Sequence, residues 1–220
     1  MEAPVEEHPT VTAQRARLTA FLRTLVTEPS AATVQRVPRL VGLVGGIGSG
    51  KSSIALDFAK RFGFVRIGFA DALKLSVYDT LAPLGIQRRH FFGTQADKAE
   101  PIPQLGGVTG RRLLELVGTE GYRAAYANIW TDIAMVTPIS GLYRVFDGVR
   151  FPNEAEAIRA RNGVIIKAIC VGNPDSVRTG HESDEAWEAI DPDYVLTGRF
   201  GELDQLLADA RAALFHKAIY

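Results

Sequence analysis

The feature that most constrains this chain is the run Gly45–Ser52, which reads Gly-Gly-Ile-Gly-Ser-Gly-Lys-Ser. It fits the pattern G-x-x-x-x-G-K-[ST] at every fixed position. The apolar residues 40–44 before it indicate a short buried strand, and Ile54, Phe58 and Phe62 after it lie four apart, as on one helix face. A strand, a glycine-rich turn and a helix in this order predict a phosphate-binding loop.

The residue types in this run suit the chemistry of a polyphosphate. Glycines allow backbone N–H groups to turn inward around the phosphates, and the N-terminus of a helix favours negative charge. Lys51 would reach the β- and γ-phosphates, and the Ser52 hydroxyl would ligate Mg²⁺. The motif therefore predicts that the chain binds a nucleoside triphosphate.

Composition limits the remaining classes of function. The 220 residues include 25 basic and 25 acidic side chains, so the chain has no excess of positive charge. Composition therefore does not indicate binding to a nucleic-acid polymer. The single cysteine, Cys170, excludes an intramolecular disulfide and lies in an apolar run, where we expect a small core residue. No apolar stretch approaches the ~20 residues that span a bilayer, and no signal-peptide pattern opens the chain, so we expect a cytoplasmic protein.

Strand and helix patterns alternate along most of the chain. Residues 1–38 form an N-terminal extension with an amphipathic helix predicted at about 12–27, and one domain follows over 39–220. A lid and acceptor region is expected at about 85–130, including a mobile loop at about 94–110. We predict strands at 39–44, 64–69, 143–147, 163–171 and 193–197, and helices at 53–62, 73–81, 111–130, 153–161 and 202–215. This alternation predicts a three-layer α/β fold of the P-loop NTPase type, a parallel sheet with helices on both faces.

The end of the third predicted strand bears on the reaction class. Motor-type ATPases usually place a glutamate directly after the aspartate here to orient a water, whereas this chain reads Phe146-Asp147-Gly148. A kinase needs only an aligned acceptor and cations that neutralise developing charge. Guanidinium groups bind phosphate oxygens in a bidentate manner, and arginines occur in the predicted cleft loops at positions 111, 112, 123 and 150. The pattern favours a kinase.

Five further segments fall in a recognisable order: Phe69–Lys74, Gly118–Arg123, Trp130, Val149–Ala155 and His181–Asp184. Together they resemble the deoxynucleoside monophosphate kinases of tailed bacteriophages, the group that includes the T-even phage enzyme. The resemblance covers roughly residues 39 to 200. Its most specific element is the run Arg-Phe-Pro-Asn-Glu-Ala after an apolar strand.

The resemblance implies transfer of the γ-phosphoryl group from ATP, with Mg²⁺, to a deoxynucleoside monophosphate to give the diphosphate. The triphosphate of ATP would be held by Gly45, Gly46, Ile47, Gly48, Ser49, Gly50, Lys51, Ser52 and Ser53, with Ser52 as the metal ligand. Catalysis would rest on Lys51, Arg112, Arg123 and Arg150. The acceptor would be bound by Asp71, Lys74, Glu120, Trp130, Asp147, Arg150, Glu154, His181 and Ser183. From the residues alone, Asp71 equally suits a helix N-cap, Trp130 a core position and His181 a surface loop.

The chain departs from the family pattern at two places. The family usually places an aspartate directly before the Val-Arg pair, whereas Gly148 stands here and Asp147 comes one residue earlier. Asp184 stands where the family more often has a glutamate. Both departures leave the identity of the acceptor open.

Two other functions stay open on the sequence. Dephospho-coenzyme A kinases often carry the same eight letters, Gly-Gly-Ile-Gly-Ser-Gly-Lys-Ser, in their phosphate loop. A nucleotide-gated binding or assembly protein would use the ATP site as a switch and the helix at 12–27 to dock a partner. Base specificity, deoxyribose preference and a homodimeric state are also open, and a phage-encoded chain would reside in the host cytoplasm.

Overall fold

The structure is a computed structural model that describes residues 38–137, 141–174 and 186–216. The helix predicted at 12–27 and two predicted site residues, His181 and Ser183, lie outside the described residues. Five strands form one sheet: β1 (Leu40–Val44), β2 (Val65–Ile67), β3 (Arg144–Phe146), β4 (Val164–Val171) and β5 (Tyr194–Arg199). All neighbouring strands pair in parallel, in the order β2-β3-β1-β4-β5.

Helices follow most strands, as parallel pairing requires. The α-helices are α1 (Lys51–Phe62), α2 (Asp71–Leu81), α3 (Arg89–Phe92), α4 (Gln95–Ala99), α5 (Gly110–Glu115), α6 (Ile129–Val136), α7 (Pro152–Arg159) and α8 (Leu203–His216). A π-helix spans Leu116–Arg123, and 3₁₀ turns occupy Ala82–Leu84, Pro103–Leu105 and Ala186–Ala189. Every predicted strand is present, with boundaries that differ by one to two residues.

Side chains on β4 alternate between two cores, which shows how the layers form. Val164, Ile166 and Ala168 face a core shared with α1 and α8, whereas Ile165 faces a second core with α6 and α7. Both sets are completely buried because helices cover both faces of the sheet. The predicted three-layer α/β fold is confirmed.

A third apolar cluster holds the helical region between β2 and β3 together. It is built around Leu73 and Val77 of α2, Phe91 of α3, Ile102 and Trp130. Ile102 is fully buried, and Pro101 pairs with Thr109 across an antiparallel bridge. The segment 94–110 was expected to be a loop rather than a core element, whereas the structure has short helices there and places Ile102 in this cluster.

The single helix predicted over 111–130 is divided in the structure. The α-helical turns of α5 give way to the π-helix at Leu116, and the chain leaves helical conformation at Tyr126 before α6 begins. Gly118 sits in the π-helix against α2, where an added Cβ would lie 2.3 Å from Leu73 Cδ2. A side chain at this position would therefore collide with α2.

Across the described ranges, none of the helices combines the length and the apolar composition that a bilayer span demands.

Candidate active site

One cleft, of about 520 Å³, opens where the strands of the sheet end. Its walls include residues 45–49, 51 and 52 after β1, 68–70 after β2 and 147–151 after β3, together with residues 168–170 of β4. The carboxyl ends of parallel strands lie at one edge of a sheet, which is where ligands bind in open α/β folds. The loops after β1, β2 and β3 therefore converge as predicted, and Asn173 after β4 donates to the carbonyl of Gly48 at 3.1 Å.

The loop between β1 and α1 has a backbone that few residues other than glycine adopt. Gly45, Gly48 and Gly50 have φ values of 144°, 74° and 92°. A Cβ on Gly45 would lie 2.3 Å from the carbonyl oxygen of Ala168, a backbone atom that cannot move aside cheaply. The turn thus passes close to β4 and enters α1 without a side-chain cap on its first N–H groups. Uncapped N–H groups at the start of a helix are suited to an anion, and Lys51 and Ser52 of this first turn line the cleft.

Lys51 lies at the first position of α1 and folds back over this loop. Its ammonium donates to the carbonyls of Gly45 at 2.7 Å and Gly46 at 2.6 Å, and to Ser49 Oγ at 3.2 Å. The cation is therefore held above the turn, with Ser52 one residue further along the helix and also in the cleft wall. This arrangement places a mobile positive charge and a hydroxyl beside the same backbone cradle.

Asp147 follows β3 and lies in the cleft wall opposite this loop. Its side chain is 12% exposed, and Arg66 of β2 donates to its Oδ2 atom through Nε. The one-residue shift relative to the family pattern therefore still leaves the carboxylate in the cleft. Arg66 also lines the cleft, so this carboxylate and its cation reach the site together.

Arg123 and Glu154 form an ion pair at the base of the cleft, with 10% and 3% of their side chains exposed. Arg123 Nη2 donates to Glu154 Oε1 at 2.6 Å and its Nη1 donates to the carbonyl of Ala127 at 3.0 Å. The guanidinium also lies 3.9 Å from the ring centroid of Phe151. Arg123 is therefore fixed by several partners rather than projecting freely into the cleft.

The other oxygen of Glu154 organises the turn that follows β3. It accepts the backbone N–H groups of Arg150 at 2.8 Å and Phe151 at 3.3 Å. Burial raises the pKa of Glu154 above its ordinary value, while these two N–H groups and the charge of Arg123 act in the opposite direction. Glu154 thus fixes the backbone from which the Arg150 side chain reaches the cleft.

Three other predicted acceptor residues differ in their placement. Lys74 lines the cleft and pairs with Asp71 at 3.0 Å. Asp71 lies outside the cleft lining and accepts the Gly68 N–H at 2.7 Å, close to its alternative role as a helix cap. Trp130 lies in the wall but is only 7% exposed, and its indole donates to the Gly118 carbonyl at 3.0 Å. Its geometry matches the core position that the sequence also allowed.

Of the two adjacent arginines of α5, Arg111 lines the cleft and the predicted catalytic residue Arg112 does not. Arg112 is bonded to Glu120 at 2.6 Å and lies 3.5 Å from Glu115, and neither Arg112 nor Glu120 is part of the cleft wall. Arg111 lines the cleft instead and donates to Gln95 of α4 at 2.6 Å. A helix turns about 100° per residue, so the two adjacent arginines leave the helix in different directions, and Arg111 is the one on the cleft side. Gly50 and Ser53 of the loop also lie outside the wall.

The structure adds cleft residues that the sequence did not single out, namely Arg66, Lys98, Cys170, Trp187 and Glu188. Cys170 is half-buried in the wall rather than a core residue, because it lies near the end of β4, beyond the covering helices. Lys98 lies on the five-residue helix α4, which is too short to show a period. A capping signal was present, because Thr94 and Asp97 have the spacing that begins a helix.

The cleft has an excess of positive charge although the whole chain is neutral. Seven basic side chains line it against four acidic ones. Among the described residues, no group of three or more His, Cys, Asp or Glu side chains could hold a metal ion unaided.

No family model matches the chain. A solved structure from Chloroflexus aurantiacus J-10-fl, titled as a "putative kinase", is 15% identical with a TM-score of 0.37, over 81% of this chain and 97% of that one. A protein of Acanthamoeba polyphaga mimivirus, named "Putative deoxynucleotide monophosphate kinase", is 33% identical over 144 residues, which are 58% of this chain and 72% of that protein. On this similarity the chain belongs to the deoxynucleotide monophosphate kinase family and is a phosphotransferase.

Proposed function

We propose that this enzyme transfers the γ-phosphoryl group of ATP to the 5′-phosphate of a deoxynucleoside monophosphate, giving the diphosphate. The observation that carries the proposal is one cleft with two basic parts. The phosphate loop with Lys51 lines the cleft after β1, and Lys74, Arg111 and Arg150 line it from α2, α5 and the turn after β3. Two anionic groups brought together in one cleft are what phosphoryl transfer between nucleotides requires.

The residues of the phosphate loop fit the triphosphate of ATP and Mg²⁺. The left-handed glycines leave room for phosphate oxygens beside the backbone, and the first turn of α1 has no side-chain cap that would compete. Ser52 would hold the metal ion, with the Asp147 carboxylate across the cleft as a further oxygen ligand. Bound Mg²⁺ supplies charge neutralisation of the β- and γ-phosphates.

The chain's own residues would act mainly by position and charge. Lys51 would leave the loop carbonyls and bind the β- and γ-phosphates. Lys74 and Arg150 would bind the acceptor phosphate and align it with the γ-phosphorus. Glu154 would fix the backbone of Arg150 while Arg123 holds Glu154. An acceptor phosphate is already anionic, so transfer needs no strong general base.

The test is ADP release from ATP and Mg²⁺ with a panel of ribonucleoside and deoxynucleoside monophosphates, with dephospho-coenzyme A included. We expect stimulation by one or more deoxynucleotides and weaker stimulation by the matching ribonucleotides. Stimulation by dephospho-coenzyme A alone would replace the proposal with the kinase that shares its loop sequence. Slow ATP turnover that no acceptor accelerates would support the nucleotide-gated switch.

A further inference from the structure

Lys98 is a half-buried cation for which the proposed reaction has so far no role. It lies in the cleft wall on α4. Within the described ranges of the chain its ammonium has no hydrogen bond and no ion pair. Most lysines on protein surfaces extend their ammonium into water, so a partly desolvated ammonium without a counter-ion is costly and marks a site that a ligand completes.

The charges around Lys98 are mostly of its own sign. Lys74, Arg111 and Arg150 act on it with positive charge, and Asp147 acts with negative charge. Desolvation by burial is the largest influence, and together with the three cations it lowers the pKa of Lys98. Asp147 cannot neutralise the group by itself, because it already accepts a hydrogen bond from Arg66. Four cations from separate elements thus surround a volume that would be stabilised by an anion.

The fold fixes α4 so that Lys98 must face the cleft. Gln95 and Lys98, three residues apart on one helix face, both line it. Asp97 of this helix and Glu100, the residue that ends it, are both held by Arg89, which donates to Asp97 Oδ1 at 3.1 Å and to Glu100 Oε1 at 2.9 Å.

Two further sets of contacts hold α4 in place. Thr94 and Asp97 form a reciprocal cap at the start of α4, with bonds of 2.7 and 3.1 Å, and the Thr94 contacts lower the pKa of Asp97 to about 2. Arg111 of α5 donates to Gln95 at 2.6 Å, which ties α4 to the next helix. A five-residue helix with this many anchors is built to hold a side chain in place.

We propose that Lys98, with Arg111 beside it, completes a binding site for a phosphomonoester dianion on the side of the cleft opposite the phosphate loop. This inference rests on the proposed function for the identity of that dianion, which is the 5′-phosphate of the acceptor nucleotide. Lys74 and Arg150 bind the same group from α2 and from the turn after β3. Lys98 thereby makes the site specific for nucleotides over nucleosides.

The kinetic experiment compares wild type with Lys98→Ala, Lys98→Arg and the exposed control Lys60→Ala. We expect Lys98→Ala to raise the KM for the acceptor about 10- to 100-fold, as loss of a charge-assisted contact would, while the KM for ATP changes less than about threefold. Lys98→Arg should restore part of the acceptor affinity, and Lys60→Ala should match wild type. An unchanged acceptor KM in Lys98→Ala would overturn the inference while leaving the proposed function intact.

A second measurement does not depend on turnover. The probe is inorganic phosphate, followed by the rise it causes in the melting temperature of Lys51→Ala, whose phosphate-loop site is weakened. We expect that rise to disappear in Lys51→Ala/Lys98→Ala and to persist in Lys51→Ala/Lys60→Ala. A rise that persists without Lys98, or one already absent in Lys51→Ala, would contradict a second anion site. If no nucleotide is phosphorylated but the Lys98-dependent rise is present, the proposed function fails and the anion site remains.

Discussion

The two halves of the cleft are built in different ways. The loop half, residues 45–52, is defined by backbone: three left-handed glycines, a close approach to β4 and the start of one helix. The helical half between β2 and β3 is assembled from side chains on α2, α4, α5 and the π-helix, joined by ion pairs and amide contacts. A site formed by backbone conformation can be built from few sequences. A site formed by side chains from several helices can place its charges from many sequence positions. Under the proposed function, the residues that select the acceptor would therefore lie in the helical half, where the sequence pattern is weakest.

Lys51→Ala is the substitution in the loop half that should lower the rate most. We expect turnover to fall about a thousandfold, because one preorganised charge at the transferring phosphoryl group is worth roughly 10²–10³ in rate. The fold should persist, since Lys51 lies in the cleft wall rather than in a core cluster and donates to the loop carbonyls of Gly45 and Gly46 and to Ser49. The measurement is the initial rate of ADP formation at saturating ATP and acceptor, with urea unfolding as the check on folding.

Lys60→Ala serves as the matched control for this variant, because Lys60 lies exposed on the last turn of the same helix. It should leave turnover unchanged. A Lys51→Ala enzyme with a near-normal rate would remove the loop from catalysis and with it the proposed use of ATP.

Glu154→Ala is the substitution next to the helical half that should lower stability most. It leaves Arg123 buried without its carboxylate and frees the Arg150 and Phe151 N–H groups, so we expect a loss of about 3–5 kcal/mol in the free energy of unfolding. Urea unfolding at neutral pH measures it. The double variant Arg123→Met/Glu154→Leu removes both charges and should lose less than Glu154→Ala does.

The same variants separate two roles for this pair. If Glu154 and Arg123 mainly support the turn, the double variant keeps a measurable acceptor KM once it is folded. Unchanged stability in Glu154→Ala together with a large rise in acceptor KM would instead assign the two side chains to substrate contact.

The sequence allowed prediction of the loop half because each of its requirements falls on consecutive residues. Strand, glycines, lysine and hydroxyl are adjacent in the chain, and the alternation of strands and helices indicated the parallel sheet. The helical half depends on contacts between distant residues: Arg89 with Glu100, Arg111 with Gln95, and Arg123 with Glu154. Adjacent arginines 111 and 112 are chemically identical, so only helix phase decides which one reaches the cleft. The sequence did not predict Lys98 as a cleft residue for the same reason: a five-residue helix is too short for its sequence to show which face points inward.

The smallest expected effect concerns two largely buried carboxylates: Asp57 of α1, the helix that follows the loop half, and Glu154 of α7, which contacts the helical half through Arg123. Asp57 of α1 accepts bonds from Arg211 of α8 at 2.8 and 2.9 Å and from Arg61 at 2.8 Å. The hydrogen bonds from Arg211 are the largest influence and lower the pKa of Asp57. Burial is the largest influence on Glu154 and raises its pKa. The contributions of these two carboxylates to stability should therefore change with pH in opposite directions.

The sign follows from proton linkage. A carboxylate with a lowered folded pKa stabilises the protein above its unfolded pKa of about 3.9, and that stability is lost as the pH falls toward the folded value. The difference in unfolding free energy between wild type and Asp57→Asn should therefore be about 1 kcal/mol at pH 6 and shrink toward pH 3. For Glu154→Gln the difference should instead shrink as the pH rises above about 4.3, because the raised pKa favours the protonated folded state at low pH. Urea unfolding of wild type and both variants across this pH range measures the two slopes. Parallel slopes would show that partner contacts control both carboxylates, and the expected contrast between Asp57 and Glu154 would be wrong.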